Sequence, residues 1–161
     1  MRKIDEIADV MRKAYAADML AGMQGPTLFF ADRIESCYVP PRESDGWFDG
    51  QRLRDYQEVE VKVLRQVLPD ARLADVTVLT RADDQIIVVM TLTGTFTDGR
   101  PFAAPVTMVY DLAGGEIVRV TGLYDAAKLA PFAAAFAAAA QHHDVPIAMT
   151  RERAQASRTP A

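Results

Sequence analysis

The sequence holds a single cysteine, Cys37, so it cannot close an intramolecular disulfide or build a cysteine-rich zinc site. Histidine is almost as scarce. His142 and His143 are the only two, they are adjacent near the C-terminus, and neighbouring side chains on a helix point apart. With no third ligand beside them, neither a metal nor any other cofactor is expected. A basic block is also missing. Eighteen Lys and Arg against 22 Asp and Glu leave a net charge of −4, which speaks against wrapping nucleic acid. No run approaches the roughly 20 apolar residues of a membrane span. Met1-Arg2-Lys3 is basic, but charge continues through Asp18 where a secretory signal would turn apolar. A reducing cytoplasm is therefore the expected setting, with Cys37 as a free thiol.

What is present is an ordinary globular composition, with 50% hydrophobic and 25% charged residues over a length that suits one domain. That domain is expected over residues 1–141, followed by a flexible tail, 142–161, whose last residues lack apolar anchors. Ile4, Ile7, Met11, Tyr15 and Met19 recur at helical steps, and Gly22 with Gly25-Pro26 ends that helix. Leu28-Phe29-Phe30 could close a short helix, and Ile34 to Val39 could be a first strand. Residues 42–50 read as a polar loop holding Trp47-Phe48. A second helix follows from about Gln51 to Leu68, with Asp49 as its cap and Pro69 as its stop.

The second half changes period. Leu73 to Thr80 is rich in β-branched residues, and Ile86, Val88, Met90, Leu92 and Phe96 alternate with a threonine-lined face. Turns at Asp98-Gly99 and Gly114-Gly115 predict a meander of about four long antiparallel strands. Asp125 then opens an alanine-rich helix that Pro131 is expected to interrupt, leaving its main part from Pro131 to about Gln141. The sum is an α+β protein with helices on one face of a curved sheet.

Phe30-Ala31-Asp32, Gly50, Asp98-Gly99-Arg100, Gly114-Gly115-Glu116-Ile117 and Leu123-Tyr124-Asp125 occur in an order that is similar to one known superfamily. Over residues 3–140 the chain resembles the nuclear-transport-factor-like proteins, and more narrowly the SnoaL-like polyketide cyclases, ketosteroid isomerases and limonene epoxide hydrolases. The resemblance implies a cone-shaped α+β barrel, its curved antiparallel sheet packed against about three to four helices around a conical pocket. It also implies a homodimer joined through the outer face of the sheet. The threonine-rich side of Ile86 to Thr97 would be that face, or simply a solvated one.

The family's catalytic groups are mostly replaced. Tyr15 falls where an isomerase oxyanion tyrosine would be, but the proton-shuttling carboxylate maps near Cys37 or Tyr38 and the second oxyanion donor near Thr107. The epoxide-hydrolase acid–base positions map near Thr91, Thr93 and Gly122, none of which is a base at neutral pH. The dehydratase histidines have no counterpart. Asp32 and Asp125 read as caps, Asp111 as a solvated turn residue, and Cys37 as an unactivated thiol.

What remains is an apolar pocket lined by Tyr15, Tyr38, Trp47, Met90, Thr107 and Val109. If it is catalytic, Tyr15 with Thr107 would hold a developing oxyanion and Tyr38 would carry the proton, in cofactor-free isomerase- or cyclase-type chemistry. The expected ligand is a small, apolar, cyclic metabolite. The alternative is a non-catalytic dimeric domain that binds a ligand or a partner. Core packing is the plainer role for each ring.

Overall fold

The computed structural model describes residues 1–42 and 45–143; the expected tail beyond 143 lies outside the described residues. Four α-helices and six strands follow in the order α1 (Lys3–Ala17), α2 (Met19–Gln24), a 3-10 turn (Pro26–Phe29), β1 (Phe30–Val39) and β2 (Gly46–Asp49). Then come α3 (Gly50–Val67), β3 (Arg72–Arg81), β4 (Gln85–Thr95), β5 (Pro101–Ala113), β6 (Glu116–Tyr124) and α4 (Ala126–Ala140).

The sheet runs β2-β1-β6-β5-β4-β3. The meander from β3 to β6 is antiparallel throughout, as the alternating pattern predicts. Gly99, Gly114 and Gly115 take positive φ (88°, 59° and 80°) at its turns, where a side chain would be strained.

One expectation about the sheet is corrected: it is mixed rather than antiparallel, because β1 adds parallel to β6. The expected cone-shaped α+β fold is otherwise what forms, with the sheet left open and β2 and β3 as its two edges. The helix α3 leaves β2 at one edge and delivers the chain to β3 at the other. Its 18 residues make about 27 Å of helix, close to the roughly 24 Å that five inter-strand gaps span. A helix of this length bridges the sheet's edges without closing them.

Local departures have local causes. Asp18 is extended (φ −164°), and its side chain accepts from the Ala21 amide at 2.8 Å. That cap splits the expected first helix in two. Residues 46–49, expected as loop, form a short edge strand on β1. Asp49 does cap α3, accepting from the amides of Gln51 and Arg52. Pro131 does not break α4, which continues through it. The cost of one unpaired carbonyl is offset by an alanine-rich sequence and by Leu129, Phe132 and Phe136 packing toward the sheet.

All the helices that contact the sheet do so from one side. There, α1 lays Ile4, Ile7 and Met11 against Ile34, Ile86, Val88 and Ile117 in one dry cluster. A second cluster gathers Val61, Leu64 and Leu68 of α3's end with Leu92, Phe96 and Phe102. Between them lie side chains that are only partly buried: Tyr15, Tyr38, Phe48, Tyr56, Glu60, Met108 and Tyr124.

Candidate functional site

Register decides which residues can share this inner region. Directly paired residues lie on the same face, and successive residues alternate. Tyr110 is buried in the core, and β5 runs without irregularity from Val106 to Asp111. Met108 and Val106 therefore face inward with it, and Thr107 and Val109 face outward. Tyr38 pairs with Gly122, and Gly122 with Met108, so Tyr38 is inward. Trp47 pairs with Glu35, which pairs with Arg119, so Trp47 is outward.

The expected set of six thus divides. Tyr15 and Tyr38 are brought to one region. Met90 faces the same side but is packed in the core, 7% exposed. Trp47, Thr107 and Val109 lie on the opposite face of the sheet, which corrects their placement as pocket lining. Thr107 stands beside Val89 and Leu123 there, and Trp47 lies under the Arg33 guanidinium at 4.7 Å. The outward-facing Cys37 sits 3.4 Å from the Thr121 hydroxyl. Asp125 caps α4, Asp111 accepts from Gln85 at 2.9 Å, and Asp32 is exposed. His143 contacts Gln66 at the surface. Among the described residues, no group of three His, Cys, Asp or Glu is placed to hold a metal.

Each inward tyrosine lies on a glycine. A Cβ at Gly22 would stand 2.6 Å from the Tyr15 ring, and one at Gly122 would stand 2.7 Å from the Tyr38 ring. These absences let both rings lie against backbone, which fixes where their hydroxyls point. The Tyr110 hydroxyl is placed to donate to that of Tyr15, in a looser contact than the bonds described below.

The residue that sequence reasoning missed is Glu60. It sits four positions after Tyr56 on α3, so both project from one face. Its carboxyl is surrounded by protein, and burial pushes it up from the ordinary 4.5 to about 7, against the opposing pull of the Arg42 charge and a hydrogen bond from Gln57. That bond is long, Gln57 Nε2 donating to Glu60 Oε2 at 3.3 Å. Glu60 in turn acts on the tyrosines. Burial first, then the Glu60 charge, raises Tyr38 to about 12 and Tyr56 further still. Tyr110 is also held well above 10, by burial first and then by Tyr15. Burial raises Tyr15 as well, so at neutral pH the hydroxyls of Tyr15, Tyr38, Tyr56 and Tyr110 are protonated donors, beside one carboxyl that titrates near that pH.

The wall of this region is completed by Arg42. Its guanidinium lies over the rings of Tyr38 (4.1 Å) and Tyr124 (4.4 Å), and its Nε donates to the Tyr124 hydroxyl at 3.1 Å. The Tyr124 hydroxyl in turn donates to the Pro40 carbonyl at 3.0 Å. Asp45 Oδ2 accepts from the Arg42 amide, while Asp45 Oδ1 is the one buried side-chain oxygen or nitrogen without a partner among the described residues. The tyrosine hydroxyls and the Glu60 carboxylate are not sealed off in that way. Each is paired or reaches accessible space.

No family model and no curated protein matches the sequence. Its fold, however, is similar to that of many solved structures. One is an NTF2-like protein from Burkholderia thailandensis, 19% identical, covering 81% of this chain and 97% of that one with a TM-score of 0.61. Another is a SnoaL-like polyketide cyclase from Agrobacterium tumefaciens, 17% identical over 83% and 98% of the two chains, with a TM-score of 0.52. A phenazine biosynthesis-related protein from Pseudomonas aeruginosa is 11% identical over 81% and 85%, with a TM-score of 0.55.

Proposed function

Given that the chain has the NTF2-like, cone-shaped α+β fold, we propose that it binds a small cyclic metabolite between sheet and helices and moves a proton on it without a cofactor. The observation carrying this is Glu60: a carboxyl surrounded by protein, poised near neutrality, facing tyrosine hydroxyls that are all donors. A carboxyl in that condition is an effective general base or acid at physiological pH. The tyrosines supply what an enolate oxygen needs, which is hydrogen bonds from groups that stay protonated.

In this mechanism Glu60 removes a proton from carbon next to a ring carbonyl. The electron pair moves onto the carbonyl oxygen, where Tyr15 or Tyr110 donates a hydrogen bond. Glu60 then returns its proton to a different carbon or to the oxygen. Tyr38 holds the ring in place and keeps its hydroxyl proton throughout, since its high pKa makes it a poor carrier. Partial solvent accessibility of Tyr15, Tyr38, Tyr56 and Glu60 supports the reading, because it leaves these polar groups within reach of a ligand.

The test is exchange of the α-protons of 2-tetralone into deuterated water, followed by NMR. The protein is expected to accelerate exchange, and Glu60→Gln to lose about 100-fold or more of that acceleration. Equal exchange with both proteins would remove Glu60 from any proton transfer and leave a non-catalytic binding domain.

The outer face supports a second part of the reading, a homodimer in the cytoplasm. Among the described residues no helix packs on it, and Val39, Leu79 and Val89 are 51%, 50% and 42% exposed there. Ile87, Thr107, Val109, Thr121 and Leu123 join them, so that the surface extends across five strands. An apolar sheet face of this breadth is characteristic of a surface meant for covering. Val89→Glu is expected to convert a dimer to a monomer by light scattering. A monomeric parent protein would overturn the assignment. Among the described residues no helix is long and apolar enough to cross a membrane.

A further inference from the structure

A fixed cation stands at the edge of the tyrosine cluster with most of its hydrogen-bonding capacity unspent. The Arg42 guanidinium is held between two rings and uses Nε on Tyr124. Among the described residues its two terminal nitrogens have no acceptor, and no carboxylate lies within ion-pair distance of it. Nor are those nitrogens sealed in the interior, since among the described residues Asp45 Oδ1 is the sole buried side-chain nitrogen or oxygen without a partner. Stacking on aromatic faces costs a guanidinium little of its ability to donate in its own plane. The result is a planar fork, held at its stem, whose outer prongs are open.

We propose that Arg42 receives a carboxylate carried by the ligand, so that the substrate class is a small cyclic or aromatic carboxylic acid. This rests on the binding region proposed above and narrows what enters it. Three observations favour a carboxylate over other groups. The open Nη1 and Nη2 form a bidentate match to two carboxylate oxygens. Among the described residues Arg42 is the cation whose charge acts on both Glu60 and Tyr38, and a single guanidinium matches the one negative charge of a carboxylate better than the two of a phosphate monoester. The rings of Tyr38 and Tyr124 flank the guanidinium edge-to-face, with centroids 6.0 Å apart, and an aromatic acid bound to the fork continues that apolar wall.

The placement has a chemical consequence. A carboxylate on Arg42 anchors one end of the ring while Glu60 and the Tyr15–Tyr110 pair address the other. Glu60 does not compete for the fork in the structure, because it forms no ion pair with Arg42. The ligand's charge is thus recognised by a group that takes no part in proton transfer, and Arg42 is a binding residue.

Two matched probe pairs test this: benzoate against benzamide, and 2-naphthoate against 2-naphthamide, each followed by ligand-observed NMR. The amides keep ring and shape and lose the charge. The acids are expected to bind about tenfold more tightly than their amides, the usual worth of a hydrogen-bonded charge. Arg42→Met is expected to abolish that preference and leave amide binding in place. Arg42→Lys, which keeps the charge without the fork, is expected to restore part of it. Tyr38→Ala should weaken acid and amide alike.

Amides binding as tightly as acids, with both weakened by Tyr38→Ala, would overturn the carboxylate assignment and leave the binding region standing. Binding of neither pair would overturn both. An acid preference that survives Arg42→Met would place the anion elsewhere and also overturn it.

Discussion

Replacing Gly50 by alanine is expected to destabilise the protein by about 3 kcal/mol or more, at the upper end of what overpacking does. Gly50 is the first residue of α3, and a Cβ there would run into the carbonyl oxygen of Ala31 in β1. The obstacle is backbone, so no rotamer change relieves it. Either α3 lifts off the sheet or β1 shifts, and both choices disturb Ile34 and Phe48 beneath. The Asp49 cap, directly before Gly50, would be pulled out of place with it. Urea denaturation measures the loss. A variant within 1 kcal/mol of the parent would mean that α3 can move without disturbing the fold.

Substituting Glu60 with glutamine is expected to stabilise the protein at pH 8, by up to about 3 kcal/mol, from the linkage between proton binding and folding. The sign follows from the direction of the shift. In the folded protein the carboxyl titrates at about 7, and in the unfolded chain near the ordinary 4.5. Between those values the folded state keeps a proton that the unfolded state has released. The parent therefore loses stability as pH rises through that window, and carries the whole cost above it. Glutamine is never charged and escapes the loss.

The two proteins are expected to agree near pH 4.5 and to diverge steadily up to pH 7. Asp5, Asp70 and Asp98 titrate below their ordinary range, and being common to both proteins they cancel from the difference. Denaturant midpoints at pH 4.5, 6 and 8 decide the matter. A constant difference across that range would show that Glu60 is not enclosed. The pair of measurements also separates structure from activity: a carboxyl that costs stability at pH 8 and accelerates exchange is retained for its chemistry.

How far the sequence could be read depended on whether the signal was local. The meander was legible because β-branched alternation and glycine turns are written within each hairpin. The helix α1 was legible from its stripe, and α3 from Asp49 and Pro69. The parallel addition of β1 to β6 was not, since nothing within either segment names a partner so far along the chain. Thr107 and Val109 were misplaced for a related reason. Alternation says that residues fall on two faces, but both faces of β5 carry apolar and hydroxyl side chains, and only Tyr110 and Met108 against α1 and β6 settle which is inside.

Glu60 escaped notice because Glu58-Val59-Glu60-Val61-Lys62 reads as a solvated stretch. The signal was there in the spacing: Tyr56, Glu60 and Val63 fall at helical steps on the stripe that Leu53 and Val67 define. A carboxylate on a buried stripe is rare enough to be informative. Arg42 carried no such mark. Its position depends on Tyr38 and Tyr124, which come from two strands and meet only when these pair.

That late meeting also bears on the order in which the protein can assemble as it is made. Glu35 and Arg119, joined across the β1–β6 seam, are separated by 84 positions. The four-strand meander needs only hairpin closures and can form as soon as its last strand is available. Strand β1 and its edge partner β2 must wait for it, and until they arrive β6 presents an unpaired edge. Tyr38, Arg42 and the Gly122 surface thus cannot meet before β6 has been made. The chemistry of the site is withheld until synthesis has passed Tyr124.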